Sequence, residues 1–218
     1  PEIDLTLQLD SAQVDEQPAP ELQTTARYAN RQADVTVNGR MLQRDIFAIT
    51  AELPLDLALE ARSVDERLLD RELYVRINAN GTPLTGFEAL MPGVRELRGG
   101  LDADVQVTGT WRDIQPRGIL LVREGAFLVP ALGTGFRELL MDVSFTPDSV
   151  IIQRARLADE RDINDTASLE GTIYQSSSGW RADILTMARS LRVIDDPRVA
   201  EADVSWTLRL RGPLDTLT

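Results

Sequence analysis

Asp102 with Asp104, Asp159 with Glu160, Asp162 with Asp165, and Asp195 with Asp196 are paired carboxylates. General acid–base chemistry and cation binding both use such pairs. Asp102 and Asp104 alternate with aliphatic residues, which assigns them to the wet face of a strand. The other pairs fall in turn-like sequence. The run from Asp159 to Asp165 has oxygen ligands for calcium but lacks the glycine of a calcium loop. The chain has no His, so no serine has a histidine to activate it, and Gly-x-Ser-x-Gly does not occur. There is no Cys, which excludes thiol catalysis, disulfides and Cys/His metal centres. Arg98-Gly99-Gly100 and Gly133-Thr134-Gly135 lack the spacing and the strand–turn–helix setting of a phosphate loop. Trp111, Trp180 and Trp206 stand apart and read as sheet-packing residues rather than a stacking platform. These residues point to a protein that is not an enzyme and uses no cofactor and no metal.

Composition narrows the partners. A net charge of −12 opposes binding to phosphate backbones, so nucleic acid is excluded as a partner. The chain is 43% hydrophobic but only 5% aromatic, an aliphatic character that suits a smooth sheet surface better than a pocket with aromatic anchors. No apolar run approaches the ~20 residues of a helical membrane span, and no signal peptide is evident. Because the sequence opens at Pro1 and stops just after a strand-like run, it reads as a fragment of a longer protein.

The elements that must position any site are strands. In Leu101 to Asp159, Leu101, Ala103, Val105 and Val107 alternate with polar residues. Gly118 to Val122 and Ala126 to Pro130 follow, then Met141, Val143 and Phe145, and then Val150, Ile152 and Leu157. A period of two means strands with one wet and one dry face. The breaks are too short for crossover helices, which predicts an antiparallel meander. Before it, Ile3 to Leu9, Leu22 to Tyr28, Val35 to Val37, Phe47 to Ala51, Leu55 to Leu59 and Leu73 to Ile77 read as strands. Asn38-Gly39 is a hairpin signal, 11–20 reads as a loop, and 61–71 as a loop or short helical turn. Leu84, Phe87, Leu90, Met91, Val94 and Leu97 recur at three- and four-residue steps, predicting one short amphipathic helix over 83–98, ended by Gly99-Gly100. Beyond Asp159, strands are predicted around Leu169 to Ile173, Trp180 to Ile184, Leu191 to Val193 and Ala202 to Leu210. Gly109, Gly171 and Gly212 each sit two residues after an aliphatic residue and two before an apolar one. Their spacing is unequal, so they read as strand glycines at bulges or bends, or as marks of quasi-repeating strands in a sheet that curls.

The order of these motifs resembles a known family. Leu84 to Val94 runs into Leu97-Arg98-Gly99-Gly100-Leu101, then Val105 to Thr110, Gly118 to Leu121, Phe127 to Gly133 and Val143-Ser144-Phe145. This order is similar to the C-terminal region of the TamB family, the inner-membrane-anchored subunit of the translocation and assembly module. The family belongs with the AsmA-like, bridge-like lipid-transfer proteins. The likeness spans roughly 73–214, with 101–218 the best match and 1–82 fitting as further strands. It implies a mainly β fold: one elongated, curled antiparallel sheet, U-shaped and taco-like, with an apolar interior groove. It implies a periplasmic location in a diderm bacterium, anchored to the inner membrane by a segment absent from this sequence. The implied partners are phospholipid acyl chains and an outer-membrane barrel of the TamA/BamA type.

The expected groove lining is Val105, Val107, Leu120, Val122, Met141, Val143 and Phe145, continuing through Ile152, Leu169, Ile173, Val204, Trp206 and Leu208. Hydrocarbon loses about 0.8 kcal/mol per CH₂ on entering water, so a continuous dry groove would lower the barrier to lipid movement. Two other readings use the same strands. One is a scaffold that offers a sheet edge or groove to nascent barrel strands. The other is a structural β-sandwich whose apolar face is its core.

Overall fold

The computed structural model describes residues 2–10, 13–14, 17–18, 20–58, 63–177, 179–196 and 200–214. Leu59, Ser178 and Pro197, which enter the expected strand and turns, lie outside them, as do parts of the loops expected at 11–20 and 61–71.

The protein is mainly β and antiparallel, as the alternation predicts. The strands of the first part are β1 (Ile3–Leu9), β2 (Gln13–Val14), β3 (Gln17–Pro18), β4 (Glu21–Ala29), β5 (Gln32–Met41), β6 (Arg44–Pro54) and β7 (Tyr74–Pro83). Those of the second are β8 (Arg95–Thr110), β9 (Asp113–Val129), β10 (Thr134–Thr146), β11 (Ser149–Asp159), β12 (Thr166–Ser176), β13 (Gly179–Asp196) and β14 (Ala200–Pro213). Twelve of them form one sheet in the order β1-β4-β5-β6-β7-β8-β9-β10-β11-β12-β13-β14, while β2 and β3 pair separately. Among the described residues the order is open, with β1 and β14 at its ends.

Contacts divide the chain into two compact units, 1–82 with 103–118, and 83–102 with 119–218. In the first, α1 (Val64–Arg67) is a single helical turn started by a capping box. The Ser63 side chain accepts from the Glu66 N–H, and the Glu66 carboxylate accepts from the Ser63 N–H. Arg67 donates to the carbonyls of Asp56 and Ala58, and the Asp56 N–H donates to the Arg67 carbonyl at 2.8 Å. The loop is thus tied to the end of β6, where the Trp111 indole also donates to the Pro54 carbonyl at 2.8 Å.

Three expectations are corrected. The amphipathic helix over 83–98 is absent: Leu84–Leu90 is a 3₁₀ segment, and β8 begins at Arg95. Leu97 is 4% exposed, so it is buried from a strand and not from a helix face. Leu84, Leu97 and Val122 instead make one buried cluster, with Phe87, Val94, Leu101 and Leu120 packed on it. Asn38-Gly39 is not the hairpin turn but lies inside β5. The turn falls at Leu42-Gln43, both at positive φ. Gly39 is required because the Phe47 ring of β6 covers its α-carbon, where a Cβ would lie 2.2 Å from the ring. Finally, the strand expected from Leu55 is not formed over the described residues 55–58: β6 ends at Pro54, and Leu55 forms an isolated bridge to Leu68.

Two of the three strand glycines are held by a close backbone approach. A Cβ on Gly109 would lie 2.1 Å from the Asp113 carbonyl oxygen, and one on Gly171 2.3 Å from that of Asp183, both at positive φ. Gly212 meets nothing within 4 Å. Gly118 is tighter still, with φ +133° and the Asp104 carbonyl oxygen 1.9 Å from a would-be Cβ, while Gly100 meets nothing. Gly118→Ala should destabilise the protein by about 1–3 kcal/mol and Gly100→Ala by less than about 1 kcal/mol, measured by urea unfolding.

Candidate functional site

The carboxylate pairs do not form a reacting set. Arg123 lies 3.5 Å from Asp102, and Arg76 donates to Asp104 at 3.0 Å. The Asp162 carboxylate accepts from the Asn164 N–H at 2.9 Å, as in a local turn. Arg161 bridges Asp159 and Asp195, at 3.7 and 3.0 Å. Among the described residues no group of acids is placed to hold a metal ion. A cavity of about 390 Å³ in the first unit is lined by Glu2, Tyr28, Asn30, Arg31, Asp56 and Ala58, with Arg31 and Asp56 paired at 3.7 Å.

The feature that remains is the apolar face. In an antiparallel ladder, directly opposed residues point to the same side. In the second unit, Val143 of β10 is opposite Ile152, which is opposite Gly171, then Ile184 and Leu210. The next rung runs Phe145, Val150, Ile173, Ala182. The rung on the other side runs Met141, Ala155, Leu169, Thr186, Leu208. Ala188 and Trp206 follow, then Leu191 and Val204. Leu120 and Val122 pack in the same cluster as Met141. Eleven of the thirteen predicted lining residues therefore share one side of this unit. Val105 and Val107 belong to the first unit, on the side opposite Asp104 and its partner Arg76.

The opposite side of the second unit carries charged residues, mixed with aliphatic ones such as Leu185, opposite Glu170 and Arg209, and Met187, opposite Ser168 and Thr207. Thr172 is opposite Asp183, and Asp183 is opposite Arg211. Arg209 donates two bonds to Asp183, at 2.8 and 2.9 Å, and Arg211 lies 3.5 Å from the same carboxylate. The first unit repeats the pattern. Leu5, Ala26, Val35, Ala51 and Val75 form one rung, while Thr6, Thr25, Thr36, Thr50 and Arg76 form the neighbouring rung on the other side.

The lining residues differ in access. Val105, Val122 and Val143 are 8%, 7% and 7% exposed, so they are closed off. Val107, Leu120, Met141, Phe145, Ile152, Leu169, Ile173, Val204 and Trp206 are half-buried, and Leu208 is exposed. Two features close part of the second unit's face. The 3₁₀ segment lies over Leu97, Leu120, Val122 and Met141, pinned by the Leu97 N–H donating to Glu88 at 2.9 Å. At one corner the Asp195 N–H donates to the Leu132 carbonyl at 2.7 Å, bringing the end of β13 to the turn before β10. Bulges at Glu138 and Ser190, both at positive φ, give the strands the extra coil this needs.

No family model, curated protein or solved structure matches the chain. The face therefore has to be judged on its chemistry. Among the described residues no second layer of strands packs on either unit's apolar side. Val150, Ala155, Ile184 and Leu210 complete the face and were absent from the predicted lining. Their alternation was visible in the sequence, but only the register shows which neighbours they stand beside.

The Arg209 hydrogen bonds hold the Asp183 carboxyl below the usual carboxylate range, helped by the charges of Arg209 and Arg211. A depressed carboxyl supports the fold at neutral pH, and that support is lost as pH falls through its folded-state value. Carbon-detected NMR titration should place Asp183 below ordinary aspartates, and Arg209→Gln should return it upward.

Proposed function

We propose that the protein is a non-catalytic, lipid-handling β-sheet whose apolar face takes acyl chains. On this reading it is a periplasmic bridge segment that conducts phospholipid between inner and outer membranes, as its resemblance to the TamB family implies. The observation that carries the reading is the half-buried aliphatic surface over Phe145, Ile152, Leu169, Ile173 and Ile184, with the charged residues Asp183, Arg209 and Arg211 on the other side. A sheet that sealed this surface with its own second layer would have no use for a guest.

The energetics suit transfer better than storage. A fully enclosed chain gains about 0.8 kcal/mol per CH₂, while an open face covers one side of it and yields about half of that. A sixteen-carbon chain then gains roughly 6 kcal/mol, enough to stay on the protein and weak enough to move along it. On these rungs the hydroxyl of Thr186 already accepts from the Trp206 indole at 3.2 Å, and the charge of −12 discourages adhesion to anionic headgroups.

The scaffold reading, in which nascent strands of an outer-membrane barrel dock on the protein, uses the same face. The two readings separate by which molecule is captured. With a photo-reactive residue at Leu169 and phospholipid vesicles, lipid adducts are expected, and barrel-protein adducts without lipid adducts would favour the scaffold.

Charge placed on the apolar side should act where charge on the polar side does not. Ile173 is half-buried and Thr172 lies next to it on the opposite face, so neither position is a closed core site. Ile173→Arg should reduce binding of a fluorescent fatty acid at least fivefold, and Thr172→Arg should leave it within twofold. Equal binding by both variants, with far-UV circular dichroism unchanged, would contradict the assignment of the face.

A further inference from the structure

The apolar side of the second unit finishes differently at its two ends. Along β13 its successive rungs are carried by Ala182, Ile184, Thr186 and Ala188. Beyond Ala182 the next rung sets Gln175 opposite Trp180, and the Gln175 N–H donates to the Asp148 carbonyl at 2.8 Å. Gln175 and Asp148 are exposed, and Trp180 is half-buried. An amide, a carboxylate and an indole bordering aliphatic rungs suit the boundary between hydrocarbon and water. Beyond Ala188 the side is walled instead. The Asp195 N–H reaches the Leu132 carbonyl across β11 and β12, and Arg161 spans Asp159 and Asp195. Leu191, opposite Val204, is 5% exposed there, and Asp159, opposite Phe136, is 3% exposed. The Asp159 Oδ2 is buried with no hydrogen-bond partner among the described residues. Hydrocarbon pressed against it would strip a carboxyl group further of water without replacing a hydrogen bond, so a methyl end stops at this wall.

The span between the two ends matches one acyl chain. Ala182 and Ala188 are six residues apart on β13, about 20 Å along a strand. With C–C bonds of about 1.5 Å in a zigzag, an extended sixteen-carbon chain is about 19 Å long. We propose that the second unit seats an acyl chain along its strands, with the polar head at Gln175 and Trp180 and the methyl end at the wall of Leu191 and Asp159. The wall limits the chain it can cover to about sixteen carbons. This rests on the lipid reading above and adds to it a direction and a length. A chain laid across the rungs would set its polar head on an aliphatic residue and meet neither end. Ala167 controls the length, because it is half-buried on the last aliphatic rung before the wall, opposite both Leu157 and Ala188.

Titration of the full chain with saturated lysophosphatidylcholines of increasing length, kept below their micelle concentrations, reads the limit. Affinity should rise about fourfold for every two carbons up to about sixteen, and by less than about twofold per two carbons beyond. Ala167→Leu should lower the limit by about two carbons, while Ser168→Leu, on the opposite side of β12, should leave it in place. Affinity that climbs by the same factor through twenty carbons would overturn the length limit, and so would an unchanged limit in Ala167→Leu with native circular dichroism. If that variant does not fold, the length series on the unaltered chain still decides. A nitroxide near the carboxyl end of bound stearic acid should broaden the methyl signals of Val150 and Ile173, and one near its methyl end those of Leu157 and Val204. The reverse pattern would overturn the direction. Binding without a limit removes this inference alone, whereas no binding at any length removes the lipid reading and this inference with it.

Discussion

The pleat of a strand sends successive side chains to opposite faces, and nearly every consequence in this protein follows from how strictly the sequence obeys it. Through the ladders, a rung such as Phe145, Val150, Ile173 and Ala182 adds aliphatic residues to one side only. The ion pairs gather on the other side: Asp104 with Arg76, Asp102 with Arg123, and Asp183 with Arg209. These pairs are exposed and contribute little stability individually. Their effect is to fix which side faces water. A one-residue slip anywhere would exchange the two sides, so the register is strongly specified despite the small amount of closed core.

In the second unit, among the described residues, closed core gathers where something crosses the apolar side, with Val143 and Ala182 buried on the rungs themselves. The 3₁₀ segment supplies Leu84 and Phe87 over β8 and β9, and it is there that Leu97 and Val122 fall below a tenth exposed. The corner at Asp195 and Leu132 is the second place, where Ala158, Asp159 and Leu191 are buried. Elsewhere the stabilisation comes from the ladders and from cross-strand aliphatic pairs, each contributing about 0.2–1 kcal/mol. That distribution leaves the face available without making the sheet depend on a guest to fold.

The sequence carried the strands well because period-two alternation is a local signal. Ile3 to Leu9, Leu101 to Val107 and Ala202 to Leu210 all became strands, and the predicted lining from Met141 to Leu208 fell on one side. It failed where a local pattern had a nonlocal cause. Three- and four-residue spacing from Leu84 to Leu97 imitated a helix, but Pro92-Gly93 breaks it and Leu97 is held by the neighbouring strand. Asn38-Gly39 imitated a turn because nothing in the local sequence shows that Phe47 needs a bare α-carbon beneath it. The true turn at Leu42-Gln43 carries positive φ on residues that advertise it poorly, unlike Asn30 in the turn at Asn30-Arg31. The closing of part of the face, and the pairing of both β14 arginines with one aspartate, depend on residues far apart in the chain.

Methyl NMR with a soluble gadolinium chelate tests the central claim most directly. If the face is unsealed by the protein itself, the methyl signals of Ile152, Leu169, Ile173 and Ile184 broaden in the lipid-free protein and are protected when phospholipid is added, while those of Leu97 and Val122 stay sharp in both states. Protection of all of them before any lipid is present would show a sealed core and contradict the account.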